Sequence, residues 1–351
     1  MILMAVLGAI LIAIAISAHM TEVGVDATEL YKYTSERENN YQMARSAVEM
    51  GYALLKSDTN GSDNLNEAWA AGSVSLVWEG KHVTVSVVDE ESKFPLSAMQ
   101  KNPDSCEYLQ KALVRLFEYG GLQSGEEACD RFLDWTDPDS VRRAQGGEGP
   151  DYAANMLIKD GPLDCIKELL ALPGWQERPH YVNHRAQQVL QSTVGGAAVA
   201  SAGASSESGG EFSSEESELP NYSLSVPEAQ TQGLSAESPW EDWVTVCSSG
   251  KININTAPLE VLRCLDADMT QTLVQEIDSH RRSSPFSRTD ELNNVTGMDA
   301  DLLFRIQDYL CVKSTYFSVD AEVLAAPGRV KLHTVVKRDG GTVKPVYWEI
   351  Q

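Results

Sequence analysis

The sequence predicts an α+β chain: a long N-terminal helix and an antiparallel sheet, with a large helical domain inserted in the sheet. Three observations predict it. Residues Met1 to Ala18 are apolar apart from Ser17 and run without a break into a polar amphipathic segment ending near Lys56. Period-two alternation of apolar and polar residues occurs at residues 73–88 and again from Tyr316 to the C-terminus. The residues between those two stretches carry mainly helical spacing.

The apolar start comes first in the chain. Eighteen residues at helical rise span ~27 Å, close to the ~30 Å hydrocarbon core of a bilayer. Leu3, Val6, Leu7, Ile10, Leu11 and Ile14 are the expected lipid-facing residues, and residues 1–20 the transmembrane part of the helix. A cleaved signal peptide would need a basic leading region, which this segment lacks, so a membrane anchor is the preferred reading. No Lys or Arg precedes Lys32, which is odd for a single-pass anchor. A short basic leader upstream, lost by processing or by choice of start codon, would account for it. The soluble part of the helix, residues 21–56, keeps three- and four-residue spacing at Val25, Leu30, Tyr33, Tyr41, Ala44, Val48, Tyr52 and Leu55. Gly24 and Gly51 are weak points, at about 1 kcal/mol each. The loop chemistry of residues 57–64 (SDTNGSDN) ends the helix.

Val74, Leu76 and Trp78 alternate with polar residues, Glu79-Gly80-Lys81 turns the chain, and Val83, Val85 and Val87 alternate again, which is a β-hairpin closed by Asp89-Glu90-Glu91-Ser92-Lys93. Helical faces follow at Leu109–Phe117, Ala128–Trp135 and Leu163–Leu172, the last ended by Pro173-Gly174. Residues 194–243 form an acidic Ser/Gly-rich low-complexity insertion with nine acidic residues and no Lys, Arg or His. Such a segment cannot bury enough apolar surface to offset its ordering entropy. Strands return at Phe317–Val323, Arg329–Lys337 and Val343–Ile350. The economical arrangement is a β domain of residues 57–94 and 315–351, interrupted by an α-helical domain of residues 95–193 and 244–314.

Within that helical domain, Lys251-Ile252-Asn253-Ile254-Asn255-Thr256-Ala257-Pro258 precedes a helix that Asn255 or Thr256 is placed to cap. The following order of helices, with Gly297 in the second turn, reads as a paired helix-hairpin-helix module. Versions that bind DNA offer a glycine-rich backbone nest and basic residues to phosphate. Here the first hairpin is Asp266-Ala267-Asp268-Met269, Asp299 and Asp301 follow Gly297, and Arg281-Arg282 is the local basic pair. The net charge is −23. Both features argue against nucleic acid as a partner and favour protein packing.

Asp134, Asp137 and Asp139 are candidate calcium ligands, since clustered carboxylates suit a hard cation. The stretch lacks the Gly and terminal Glu of an EF-hand loop, so a helix end followed by Asx-turns, with Trp135 as a core anchor, is the preferred local reading. His180 and His184 stand four apart with no metalloprotease pattern. The six cysteines form no C-x-x-C, which excludes the common zinc and thioredoxin-like motifs. No cofactor fingerprint or catalytic constellation is present, and no enzymatic activity is expected.

Five segments in order resemble the general secretion pathway protein K family, a minor pseudopilin of type II secretion. They are the apolar start; Arg45 to Leu55, similar to that family's helix end; Val88 to Leu96, similar to its D-E-x-G-K-F/I-N-L; Asp134-Trp135-Thr136-Asp137, similar to its D-W-x-D; and Lys251 to Ala257, similar to its K-x-N-I/V-N-T-A. Ser92 and Pro95 depart from the family's Gly and Asn, and the acidic insertion is not part of its pattern. The resemblance implies a pilin-like domain with a helical, SAM-like insert, and a single-pass inner-membrane anchor with its body in the periplasm. It implies a place at the pseudopilus tip, priming assembly and aiding export across the outer membrane. The implied partners are the I and J minor pseudopilins, the major pseudopilin and inner-membrane components of the secretion system. It also implies possible calcium binding. Most pilins carry Glu at mature position five; this family does not, and Ala5 fits that exception. An unpaired Glu would be costly in lipid, and its absence suits a tip subunit with no neighbour above it. The alternative is a membrane-anchored helix-hairpin-helix DNA receptor of competence type, which does not explain the flanking strands, the long soluble helix or the acidic hairpins.

Overall fold

A computed structural model of the chain describes residues 2–101, 106–121, 125–152, 158–175, 240, 242–325 and 328–350. The His180/His184 pair and most of the acidic insertion fall outside them.

One helix, α1 (Ile2–Ser57), covers the whole N-terminal stretch. At helical rise its 56 residues are about 84 Å long. The helix lives two lives. Through residue 39 nearly every described side chain is exposed, including Val25, Leu30 and Tyr33 of the amphipathic stripe. From Asn40 onward the three- and four-residue spacing finds a partner: Met43, Ala44, Ala47, Val48, Tyr52 and Leu55 are buried against a sheet.

That sheet has five antiparallel strands in the order β1-β2-β7-β8-β9: β1 (Val74–Trp78), β2 (Lys81–Asp89), β7 (Tyr316–Ala325), β8 (Gly328–Asp339) and β9 (Thr342–Ile350). The predicted hairpin turns at Glu79 and Gly80, both with positive φ, as the tight turn requires. Val83, Val85 and Val87 of β2, Phe317, Val319, Ala321 and Val323 of β7, and Val330, Leu332 and Val336 of β8 form the apolar face under α1. Edge strand β1 is mostly exposed, because one helix about 10 Å wide cannot cover five strands spaced about 4.8 Å apart.

The closeness of helix and sheet explains Gly51. A Cβ there would stand 2.6 Å from Cγ1 of Val319. Gly51→Ala is therefore expected to destabilise the fold by about 1–2 kcal/mol, overpacking outweighing the better helix propensity. Gly24→Ala, where the space around the glycine is open, should instead gain up to about 1 kcal/mol. Urea unfolding of both variants checks the opposite signs; equal shifts would refute the contact argument.

Strands β2 and β7 pair with Asp89 opposite Phe317, so residues 90–315 stand where a hairpin loop would be. They hold a second apolar core, continuous from Phe94 to Leu310. Its helices are α2 (Leu96–Lys101), α3 (Glu107–Tyr119), α4 (Gly125–Thr136), α5 (Leu259–Leu265), α6 (Gln271–Ser283) and α7 (Ala300–Ile306). Two short parallel pairings tie it together: β3 (Phe94–Pro95) with β4 (Val244–Thr245), and β5 (Ile252–Asn253) with β6 (Leu310–Cys311).

Four local expectations change. The third helical face is a 3₁₀ segment, Ile166–Ala171. The last helix, which the spacing predicts over Leu302–Leu310, ends at Ile306, and Leu310 starts a strand. Helix α5 starts at Leu259 with no side-chain cap, because Asn255 and Thr256 turn to distant partners instead. Trp240 and Trp243, placed by the sequence reading inside the acidic insertion, are buried in the helical core with Phe117 and Trp175, where their large apolar area outweighs the acidic context.

Candidate functional site

Three features could act outside the fold itself: the bare stem, the joint between the two cores, and an acidic loop after α4.

The stem is the first. Val6, Leu7, Ile10, Leu11 and Ile14 are all exposed; the side chain of Leu3 is outside the described set. The stretch is long and apolar enough to cross a membrane, and none of the described residues covers it. The exposed apolar side chains continue past it through Met20, Val23, Val25, Leu30, Tyr31 and Tyr33.

The joint is built from five parts of the chain. Asp89, at the end of β2, is 2% exposed. Its Oδ2 accepts from Thr256 Oγ1 at 2.6 Å, Ser314 Oγ at 2.7 Å and Asn253 Nδ2 at 3.2 Å, and its Oδ1 accepts from Glu91 N at 2.8 Å. Burial pushes the Asp89 carboxyl up to about 7, against the pull of the Thr256 and Ser314 hydroxyls, with Glu91 and Asp63 adding repulsion. Asn253 Nδ2 also meets Ser314 Oγ and the Asp63 carbonyl. Asp63, fully buried, receives Arg338 Nη2 at 2.6 Å and Ser314 N at 2.5 Å. Arg338 reaches Asp58 at 2.6 Å as well and lies 4.6 Å above the Phe317 ring. Beside this network, Glu90 pairs with Lys93 and accepts from Thr245 Oγ1, each at 2.6 Å, while Glu91 accepts from Ser249 N. All five residues of the run Asp89–Lys93 are buried. The polar run that closes the hairpin is thus the joint by which the helical body is fixed to the sheet.

The motif residues fall into place around it. Asn253 belongs to the joint. Asn255 exchanges two hydrogen bonds of 2.9 Å with the backbone of Phe286. The carbonyls of Ile254 and Ala257 receive the buried guanidinium of Arg281, which also pairs with Asp278. Gly297 has φ +89°. Asp266 of the first hairpin holds Arg305 at 3.0 Å and Tyr108 Oη at 2.8 Å; against the burial that would lift it, these partners hold its carboxyl down to about 2. Arg281 is spent inside the fold, and the first hairpin's carboxylates, buried Asp266 and exposed Asp268, are both paired with Arg305, which is no phosphate cradle.

In the acidic loop, Asp134 is fully buried and receives Arg143 through Nη1 at 2.7 Å and through its backbone N at 3.1 Å. Arg143 also pairs with Asp137. A Cβ on Gly146 would overlap the Asp134 carboxylate, which restricts that position to glycine. Asp139 accepts from Val141 N at 2.7 Å, the expected Asx-turn. Trp135 is buried and packs edge-on against Tyr152. Among the described residues, carboxylate oxygens of Asp137, Asp139 and Glu148 lie within 4.8 Å of one another. Asp134 is not in that group and pairs with Arg143. Asp137 Oδ1 and Glu148 Oε1 are buried with no hydrogen-bond partner among the described residues. Burial, with repulsion from neighbouring acids, holds both carboxyls above their ordinary range, in Asp137 despite Arg143. Two orphaned buried oxygens in an all-carboxylate set fit a hard cation.

Sequence reasoning found Asp137, Asp139, Asn253 and Thr256 but missed Asp63, Arg338, Ser314 and Glu148. The partners of Asp63, Arg338 and Ser314 lie up to 280 residues away, so no local spacing could mark them.

Residues 252–308 match a family model described as type II secretion system (T2SS), protein K, and residues 92–180 match a second model of the same description. The fold is similar to a chain in the crystal structure of the GspK-GspI-GspJ complex from the enterotoxigenic Escherichia coli type 2 secretion system. That likeness has a TM-score of 0.61 at 14% identity and covers 90% of this chain and 99% of the other. At that identity it speaks for the fold. No curated protein sequence matches the chain.

Proposed function

We propose that the chain, which matches type II secretion system protein K models over residues 92–180 and 252–308, is a minor pseudopilin of that system that sits at the tip of the pseudopilus and primes its assembly, aiding protein export across the outer membrane. The role is mechanical, not enzymatic. Residues 1–20 anchor the subunit in the bacterial inner membrane, and the body lies in the periplasm. The observation that carries the reading is the two-lived helix α1: the part from Asn40 on is locked into the sheet, and the longer part before it projects with its apolar side chains bare. Such a stem needs lipid before assembly and neighbouring stems after it. The proposed neighbours are the I and J minor pseudopilins, then the major pseudopilin and the inner-membrane components of the system. The helical body, fixed to the sheet by a buried joint, would close the filament end against further addition.

Leu30→Asp and Tyr33→Asp, at exposed stem positions, are expected to weaken co-purification with I and J minor pseudopilins about tenfold or more, with unfolding midpoints unchanged. Unaltered co-purification would refute the stem as the assembly surface. Labelled protein found along the shaft, and not at one end, would refute tip placement.

The acidic loop supports a bound calcium ion held by Asp137, Asp139 and Glu148, which would neutralise their mutual repulsion and tie the loop to α4. Calcium is expected to raise the thermal midpoint over that in chelator, and Asp137→Asn to abolish the rise. A midpoint indifferent to calcium in the unaltered protein would count against the site.

A further inference from the structure

Trp175 and Trp240, the described residues on either side of residues 176–239, are packed on each other. Trp240 Nε1 donates to the carbonyl of Trp175 at 3.0 Å, and their rings meet edge to face at 5.2 Å. The described segments before residue 176 and after residue 239 are therefore brought together at this tryptophan neck. Both segments also line a single cleft of about 160 Å³ between the helical body and the face of the sheet turned away from α1. Each brings one cysteine to it: Cys165 from before the neck and Cys247 from after it. Both are half-buried thiols in this structure. They line the same cleft, and the Tyr347 hydroxyl of β9 reaches both Cys165 and Glu349. Lys167 pairs with Glu349, which pins the Cys165 segment against the sheet.

The other described cysteines are placed differently. Cys106 and Cys129 are buried in the helical core, Cys264 is on the buried face of α5, and the Cys311 thiol donates to Glu91. Only Cys165 and Cys247 bring thiols from both sides of the neck to one accessible cleft.

We propose that Cys165 and Cys247 form a disulfide that staples together the two described segments meeting at the tryptophan neck. The proposal rests on the periplasmic reading, because a disulfide persists only in an oxidising compartment. The oxidant is a protein or small-molecule disulfide. The Cys165 thiolate attacks one of its sulfurs, expelling a thiolate and leaving a mixed disulfide; the Cys247 thiolate then attacks the Cys165 sulfur and expels the second half. Two thiol protons are released, two cysteines are oxidised, and the oxidant's disulfide is reduced to two thiols. Closing so long a loop in the unfolded chain favours the folded state.

The test has two arms, each read by non-reducing peptide mapping of the full-length protein. Folded, reduced protein is first treated with oxidised glutathione. A peptide pair joining Cys165 to Cys247 is expected, lost on reduction and absent from Cys165→Ser and Cys247→Ser. Recovery of both cysteines unlinked, or of Cys165 joined to a different cysteine, overturns the proposal. In the second arm, cells are quenched with an alkylating agent before extraction. The same linked pair is expected; a pair that forms with glutathione but is alkylated and unlinked in the cell overturns closure in the cell and the periplasmic assignment, while leaving the pairing geometry intact.

Discussion

Arg338→Ala is expected to cost about 3–5 kcal/mol of stability, the range for breaking a buried ion pair from one side. Arg338 is 7% exposed and is the cation facing the fully buried Asp63. It also neutralises Asp58, donates to the Ser314 carbonyl at 2.9 Å and lies over Phe317. Removing it strands one carboxylate in the interior and a second at its rim. Burial already raises the Asp63 carboxyl against the pull of Arg338, so without the guanidinium Asp63 would take up a proton or draw in water. Arg338→Lys should recover only part of the loss, because one ammonium cannot span Asp58, Asp63 and the Ser314 carbonyl as the planar fork does. Urea unfolding at neutral pH, with a double-mutant cycle against Asp63→Asn, measures the coupling. A loss below about 1 kcal/mol would mean that the pair is solvated in solution and contributes like a surface bridge.

The site of this damage matters as much as its size. Arg338 belongs to the sheet, Asp63 to the loop after α1, and Ser314 to the chain returning from the helical body. The two apolar cores do not merge: one runs from Met43 through the sheet, the other from Phe94 to Leu310. What connects them is largely polar, and polar contacts are directional where apolar ones are not. A joint of this kind fixes the orientation of the body on the stem, which the proposed closing of a filament end requires.

This division also explains what was legible in the sequence. Helix α1 and the alternation of β2 and β7–β9 were readable because burial on one face writes a period of 3.6 or 2 into the residues. The helical body was readable for the same reason, on the faces of α3 and α4. The joint wrote no period. Asp89 to Lys93 looks like any polar turn, and Asn255 and Thr256 look like helix caps, because the same side chains satisfy a neighbouring amide or a distant carboxylate equally well. Their true partners depend on the sheet order, which brings Asp89 beside Phe317. Gly51 read as a defect in a helix; only the approach of Val319 makes it a requirement. In the acidic loop the sequence marked the carboxylates but could not foresee that Arg143 holds Asp134 while Glu148 comes in from beyond it.

Asp89 should make stability fall as pH rises through the interval between its unfolded and folded titrations. Its carboxyl moves from the ordinary 3.8 to about 7 in the fold. Below about 4 both states hold the proton and the group contributes nothing to the slope. Between about 4 and about 7 the folded state holds a proton that the unfolded state has lost, so raising the pH drives unfolding; above about 7 the full penalty for burying the anion is in place. Three units correspond to roughly 4 kcal/mol as an upper bound, and about 2–4 kcal/mol is the expected change. Asp58, Glu90 and Asp320 are held down in the fold and His333 is raised, so the pH profile of the native protein mixes opposing slopes. The difference between native protein and Asp89→Asn cancels most of them. That difference should move in favour of the Asn variant by about 2–4 kcal/mol from pH 4 to pH 8, read from urea unfolding at each pH. Asp89→Ala should be worse than Asn at every pH, since the Asn253 amide and the Thr256 and Ser314 hydroxyls then lose their shared acceptor. A flat difference between native protein and Asp89→Asn would show that Asp89 keeps its charge at no cost, and that its four donors offset the loss of water completely.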